Sequence, residues 1–216
     1  MLSILKNISP YNCLSDDELR LLTSHAKTRH FKKNTLIIQQ GDETDSLYIV
    51  REGEMKIYVE SDNGRELTVR IVSEGDTFGE LALFGEFPRS ANVMTLTDSS
   101  AIVINKSSFM ECLRNNPEIS LSLIKSLADM VRETTGELSH IALSDVYGRL
   151  IHVLQKYSFK QDGITSVQKF THREIANMIG SSREMVSKIL KDLEKGEYIS
   201  VEDSQYVIQK KLPSQW

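Results

Sequence analysis

The stretch "FTHREIANMIGSSREMVSKILKDLEKGEYISVEDSQYVIQ" (residues 170–209) decides the fold of the C-terminal part. Thr171 with Glu174 three residues later is a capping box and opens a helix. Ala176 is small where a second helix must cross closely, and Gly180 sits where the chain has to turn with positive φ. Val186 and Ile189 supply the inward face of the helix that follows. "YISV" and "QYVIQ" then read as two strands around the turn "EDS". Helix, glycine turn, helix and two-stranded wing together make the pattern of a winged helix-turn-helix, which implies double-stranded DNA as a partner.

In that motif the N-terminal end of the second helix enters the major groove. Here that end reads "SSREMVSK", with Ser182, Arg183, Glu184 and Lys188 at or near it. Arg183 suits guanine O6 and N7, and Glu184 suits the amino group of cytosine. An alternative for Glu184 is a second capping box with Ser181. Lys188 reaches a base edge or only a phosphate. Thr171, His172, Arg173 and Ser182 are candidate phosphate contacts.

The whole-chain charge of −4 speaks against a nucleic-acid binder, but its distribution does not. From Ser144 onward there are 11 basic and 9 acidic residues, while the part before it has 15 basic and 21 acidic. A mildly basic DNA part thus follows an acidic part. At 216 residues, the chain has room for two small domains. Its apolar runs, such as Leu81 to Phe84, are too short to span a bilayer. The start, "MLSILKNISPYN", lacks a basic segment before a long apolar one, so a cytoplasmic protein without membrane contact is expected. Cys13 and Cys112 are too few and too far apart for a disulfide framework or thiolate metal site, and no metal is expected.

Between Phe31 and Ile104 short β-rich runs alternate with turns. "SLYIV", "MKIYV", "LTVRIV" and "SAIVI" are strand-like, and Asn63-Gly64 signals a two-residue hairpin. Glycines 41, 53, 64 and 75 recur every 11 or 12 residues, the spacing of a compact antiparallel sandwich or roll. To the N-terminal side, Ser15 with Glu18 starts a short helix. After Asn116-Pro117, Ile124, Leu127, Val131, Thr134, Leu138 and Ile141 follow in steps of three and four. That is the seam of a coiled coil, although a helix lying on its own core has the same period. Thr134 breaks the seam with a hydroxyl, and Thr135 follows it. Ser144 or Asp145 then caps a new helix, so the long one ends near Ala142 or Leu143. A further helix through about Tyr157 and a hairpin at Gln161-Asp162-Gly163 lead back to the opening stretch.

Within the β-rich part, "GDTFGELALFGEFPRSANV" (residues 75–93) places Glu80 and Arg89 among apolar residues. Charged groups in such a setting stay exposed, pair with each other, or serve a ligand. This stretch resembles the phosphate-binding cassette of cyclic-nucleotide-binding domains, F-G-E-(L/I)-A-L followed by P-R-(S/T/A)-A. With the β-rich part, the long helix and the winged motif, the resemblance to bacterial cyclic-AMP receptor regulators covers nearly the whole chain.

The resemblance implies an α+β fold in three parts. These are a jelly-roll-like antiparallel β-roll that binds cyclic nucleotide (1–115), a dimerisation helix (116–143) and the winged helix-turn-helix (144–216). It implies cyclic AMP as effector, with Gly79, Glu80, Arg89 and Ser90 at its phosphate and ribose. Arg89 meets the phosphodiester with a fork of donors, Glu80 accepts from the ribose 2′-hydroxyl, and Gly79 lets the backbone approach. Thr134 and Thr135 match the hydroxyl residues that touch the base from the two chains of a homodimer. The operator expected is two-fold symmetric with TGTGA-like half-sites, and RNA polymerase is an implied partner.

Two positions depart from the best-known relative, Met130 and Lys188 standing where it has arginines. The loop before the helix-turn-helix is shorter, so that relative's polymerase-contacting surface does not carry over. Alternatives are a relative that senses cyclic GMP or a cyclic dinucleotide, or one that binds DNA without effector. Motifs of phosphate-loop, zinc-protease or nucleophile-elbow enzymes are not present, so no catalysis is expected.

Overall fold

Strand β3 (Ser46–Glu52) is buried on both faces, which is why its sequence is a continuous apolar run. Leu47 and Ile49 point into one core cluster, Tyr48 and Val50 into another. The strand beside it, β8 (Ser99–Asn105), alternates likewise, with Ile102 and Ile104 on one side and Ala101 on the other. Such strands fit between a second sheet and a layer of helices. The computed structural model describes all residues except 1–4, 7, 9, 10, 25, 86, 162, 169, 203, 204 and 214–216, and the side chains of residues 13 and 21. Internal contacts divide the chain into two units, 1–64 with 69–131, and 65–68 with 132–216.

The remaining strands of the roll are β1 (Lys27–Phe31), β2 (Leu36–Ile38), β4 (Met55–Glu60), β5 (Glu66–Val72), β6 (Thr77–Phe78) and β7 (Asn92–Thr95). They form two four-stranded sheets, β1-β8-β3-β6 and β2-β7-β4-β5. The pairs β1–β8, β3–β8, β3–β6, β2–β7 and β4–β7 are antiparallel. Ile38, Tyr48, Val50, Met55, Val72, Phe78, Val93 and Ala101 form one core of the roll. At the turn between β4 and β5, Gly64 N–H donates to the Ser61 carbonyl at 2.8 Å with φ +75°. The chain therefore reverses over Ser61–Gly64 rather than over Asn63-Gly64 alone.

The outer layer is α1 (Asp16–Thr23), α3 (Lys106–Asn115) and the start of α4 (Pro117–Leu143). Ser15 and Glu18 exchange bonds at the head of α1. Leu5, Ile8, Tyr11, Leu14, Leu19 and Leu22 pack with Phe109, Cys112, Ile119 and Leu123. The cassette's short helix, α2 (Leu81–Phe84), inserts Leu83 into this same cluster.

α4 ends at Leu143, as its sequence implies. Ile119 and Leu123 are buried, and Leu127 packs against the same core. The seam through Ile124, Val131 and Leu138 is a different face. Those side chains are 62%, 66% and 63% exposed, one every seven residues.

In the second unit, Asp145 caps α5 (Val146–Lys156) by accepting from Gly148 N–H. The wing sheet has the order β11-β12-β10-β9, from β9 (Ser158–Gln161), β10 (Ile164–Gln168), β11 (Ile199–Glu202) and β12 (Gln205–Ile208). Asp162, Asp203 and Ser204, which the sequence places in its turns, lie outside the described residues. Between these strands run α6 (His172–Ile179) and α7 (Arg183–Lys195), packed through buried Ile175, Ala176, Ile179, Val186, Ile189 and Leu190. Among the described residues, no helix is long and apolar enough to cross a membrane.

Candidate functional site

Arg89 is 4% exposed, so its guanidinium must find partners inside the protein. Nε donates to Thr44 Oγ1, Nη1 to the Gly79 carbonyl and Nη2 to the Ser46 carbonyl, each at 2.8 Å. The backbone is fixed as well. Arg89 N–H donates to the Asp42 carbonyl, and the Arg89 carbonyl accepts from Gly41 N–H. Burial pulls the guanidinium below its usual range, while Tyr48, Asp45, Glu80 and Asp42 pull it back up.

Gly79 has φ +87°, and a Cβ there would fall 2.8 Å from Arg89 Nη1 and 2.8 Å from the Ser46 carbonyl oxygen. A side chain would displace the arginine, so glycine is required twice over. Glu80 follows at the head of α2 in right-handed helical conformation and is 6% exposed. Its Oε2 has no hydrogen-bond partner among the described residues. Burial raises its pKa, opposed by its own backbone N–H and by the charges of Arg70 and Arg89. Ser90, next to the buried arginine, is exposed.

The structure thus brings Gly79, Glu80, Arg89 and Ser90 to one cassette. Glu80 and Arg89 form no ion pair among those described, so the loop is closed by carbonyl oxygens and a hydroxyl. Thr44, the Ser46 carbonyl and Arg70 escaped the sequence reading. A lone threonine in the polar run "GDETDS" and an arginine in a strand carry no local signal of a shared site. Thr134 and Thr135 lie on an exposed stretch of α4.

The helix-turn-helix is built by its caps. Thr171 Oγ1 accepts from Glu174 N–H at 3.2 Å, and Glu174 Oε2 accepts from Thr171 N–H at 2.6 Å. Gly180 ends α6 in left-handed conformation, φ +59°. Ser182 Oγ accepts from Met185 N–H at 3.2 Å, which makes Ser182 the cap of α7. The capping box of Ser181 with Glu184 does not form, because the helix starts one residue later. Glu184 is left exposed in the first turn, together with Arg183, and Lys188 is exposed one turn on. Thr171, Arg173 and Ser182 are exposed too. His172 is half-buried, and its Nδ1 is 2.6 Å from Ser187 Oγ, a tie between α6 and α7 that leaves Nε2 for other contacts.

Two family models match the chain. Residues 28–116 match the cyclic nucleotide-binding domain and residues 148–212 the Crp-like helix-turn-helix domain. The cAMP-activated global transcriptional regulator Vfr of Pseudomonas aeruginosa is 32% identical over 195 residues, 87% of this chain and 91% of that protein. The cAMP-activated global transcriptional regulator CRP of Salmonella typhimurium is 29% identical over 199 residues, 90% and 95%. Among solved structures, the c-di-GMP responsive global regulator CLP of Xanthomonas campestris superposes with a TM-score of 0.79 at 24% identity. It covers 91% of this chain and 100% of that one.

Proposed function

The chain belongs to the CRP family of DNA-binding transcription regulators with a cyclic-nucleotide-binding domain, and on that premise we propose that it is a homodimer whose DNA affinity is controlled by cyclic AMP. The observation that carries this reading is Arg89, a buried cation held by three neutral oxygens and left unneutralised by Glu80. A cyclic phosphodiester brings the missing single negative charge, and Ser90 adds an exposed hydroxyl beside it. Glu80 Oε2, buried and unpartnered, supplies an acceptor for the ribose 2′-hydroxyl. Gly79 and Thr44 hold the arginine in place.

In this reading the base meets Thr134 and Thr135, one from each chain, and Ile124, Val131 and Leu138 form the seam between the two copies of α4. Nucleotide shifts a population in which the two α7 helices sit about 34 Å apart, one turn of B-DNA. A coupling of about 1–3 kcal/mol makes DNA binding roughly 5- to 150-fold tighter. Arg183, Glu184 and Lys188 read bases of a TGTGA-like half-site, and Thr171, His172, Arg173 and Ser182 hold phosphates. The three parts 1–115, 116–143 and 144–216 take the roles of sensing, pairing and reading, with RNA polymerase as the downstream partner.

Calorimetry with cyclic AMP and cyclic GMP, repeated with operator DNA present, tests the proposal. Saturable cyclic-AMP binding that strengthens on the DNA complex supports it. Tighter binding of cyclic GMP or of a cyclic dinucleotide assigns a different effector, and operator affinity unmoved by any nucleotide removes the switch.

A further inference from the structure

Two histidines lie face to face where α4 gives way to α5. His140, in the last turn of α4, stacks on His152 of α5 with ring centroids 3.8 Å apart and planes 22° from parallel. Only Ser144 and Asp145 separate the two helices, and the contact lies wholly within the second unit.

A second tie crosses beside the rings. Glu137, one turn before His140, accepts from Lys156 Nζ at 2.5 Å, and the same oxygen, Oε1, lies 3.2 Å from His152 Nε2. Burial alone would raise the Glu137 carboxyl, but the bonds to Lys156 and His152 outweigh it and hold the group below the usual carboxylate range. An ionised carboxylate only accepts, so Nε2 of His152 carries the hydrogen. Arg149, one turn before His152, donates from Nη1 to the Ile141 carbonyl at 3.2 Å and adds a positive charge at the end of α4. The charged and titratable groups around the pair are therefore Glu137 from α4 and Arg149 and Lys156 from α5, with the Tyr157 ring 5.9 Å from Lys156 Nζ.

Histidine is the side chain whose charge changes near neutral pH. A first proton is accommodated here, because a charged His152 faces Glu137. A second is not. It sets two like charges on rings 3.8 Å apart, and the one carboxylate is already shared with Lys156.

We infer that His140 and His152 form a proton-operated clasp between α4 and α5, closed while at least one ring is neutral and loosened when acid charges both, so that DNA affinity falls as the clasp opens. The inference does not depend on the nucleotide reading.

Hydrogen–deuterium exchange of the full chain without nucleotide, corrected for the intrinsic rate at each pH, reads the clasp. The reporters are Ser144 N–H, which donates to the His140 carbonyl, and Gly148 N–H, which donates to Asp145 Oδ1. Their protection is expected to fall several-fold between about pH 8 and pH 5 in wild type. His140→Phe keeps a stacked ring without the charge, and His140→Gln drops both. Protection stays level across that range in either variant. In Glu137→Gln, which lacks the balancing carboxylate, the loss begins nearer neutral pH. On duplexes that wild type retains from a random pool at neutral pH, acid weakens binding several-fold more in wild type than in His140→Phe. His172 is present in both proteins, so its contribution cancels. Protection that stays level in wild type, or falls equally in wild type and a folded His140 variant, overturns the clasp. An equal loss of DNA affinity in wild type and His140→Phe overturns its coupling to DNA.

Discussion

Arg89 Nη1 lies 2.8 Å from the carbonyl oxygen of Gly79, so the cassette's cation and its glycine are one unit. Truncating the arginine leaves the carbonyls of Gly79 and Ser46 without their donor, at about 1–3 kcal/mol for each group left unsatisfied. Arg89→Ala is therefore expected to lower the thermal midpoint by several degrees without any nucleotide. Arg89→Lys keeps the charge but not the fork, and separates the two effects. It retains most of the stability and loses cyclic-AMP affinity, by calorimetry, to about the extent of a charged hydrogen bond, roughly 1.5–3 kcal/mol. Unchanged affinity in Arg89→Lys contradicts the phosphate role.

Glu80 makes stability depend on pH with a definite sign. Its folded pKa is raised, chiefly by burial, so the native state holds a proton that the unfolded state releases. Stability then falls as pH rises from the ordinary carboxylate range through the raised value. Glu80→Gln has no charge to bury. It should melt higher than wild type near neutral pH, with the advantage shrinking on acidification, and lose cyclic-AMP affinity at the same time. Calorimetric melting between about pH 4 and pH 8 checks the trend. A variant less stable than wild type at neutral pH, or an advantage that grows on acidification, refutes it.

Much of this architecture is written in short-range chemistry. Thr171, Glu174, Gly180 and Ser182 act on backbone groups within a few residues, so the helix-turn-helix is readable locally. The cassette is legible for the same reason, as Gly79, Glu80 and Arg89 fall in one run. What stays hidden comes from far along the chain. Thr44 and Ser46 reach Arg89 across more than 40 residues. The N-terminal apolar residues Leu5, Ile8, Tyr11 and Leu14 recur every three residues, yet nothing in that run shows locally that they complete the core under Leu83. On α4, one period serves two stripes, and only packing separates buried Leu123 from exposed Ile124.

Arg183 sits exposed in the first turn of α7, behind a cap supplied by Ser182. Arg183→Ala removes no core contact, so stability should change by less than about 0.5 kcal/mol. Binding to operators substituted one base at a time should lose discrimination at one guanine by about 1–3 kcal/mol per half-site. Ser182→Ala instead frays the helix start, at a cost of about 1 kcal/mol of stability, and weakens binding to all sequences alike. A uniform loss across operators in Arg183→Ala assigns that residue to phosphate and ends its role as a reader.

Val131 is exposed midway between Ile124 and Leu138, one heptad from each. Nothing in its own core depends on it, and two such stripes facing each other bury about 1.5–3 kcal/mol for each apolar side chain removed from water. Val131→Glu places a charge in that seam on both copies at once. Sedimentation equilibrium is expected to show a dimer for wild type and a monomer for the variant at micromolar concentration, with an unchanged helical circular-dichroism signal. Operator affinity then drops as well, because two half-sites no longer engage together. A Val131→Glu protein that remains dimeric moves the interface away from Ile124, Val131 and Leu138, and with it the placing of Thr134 and Thr135 at a shared base.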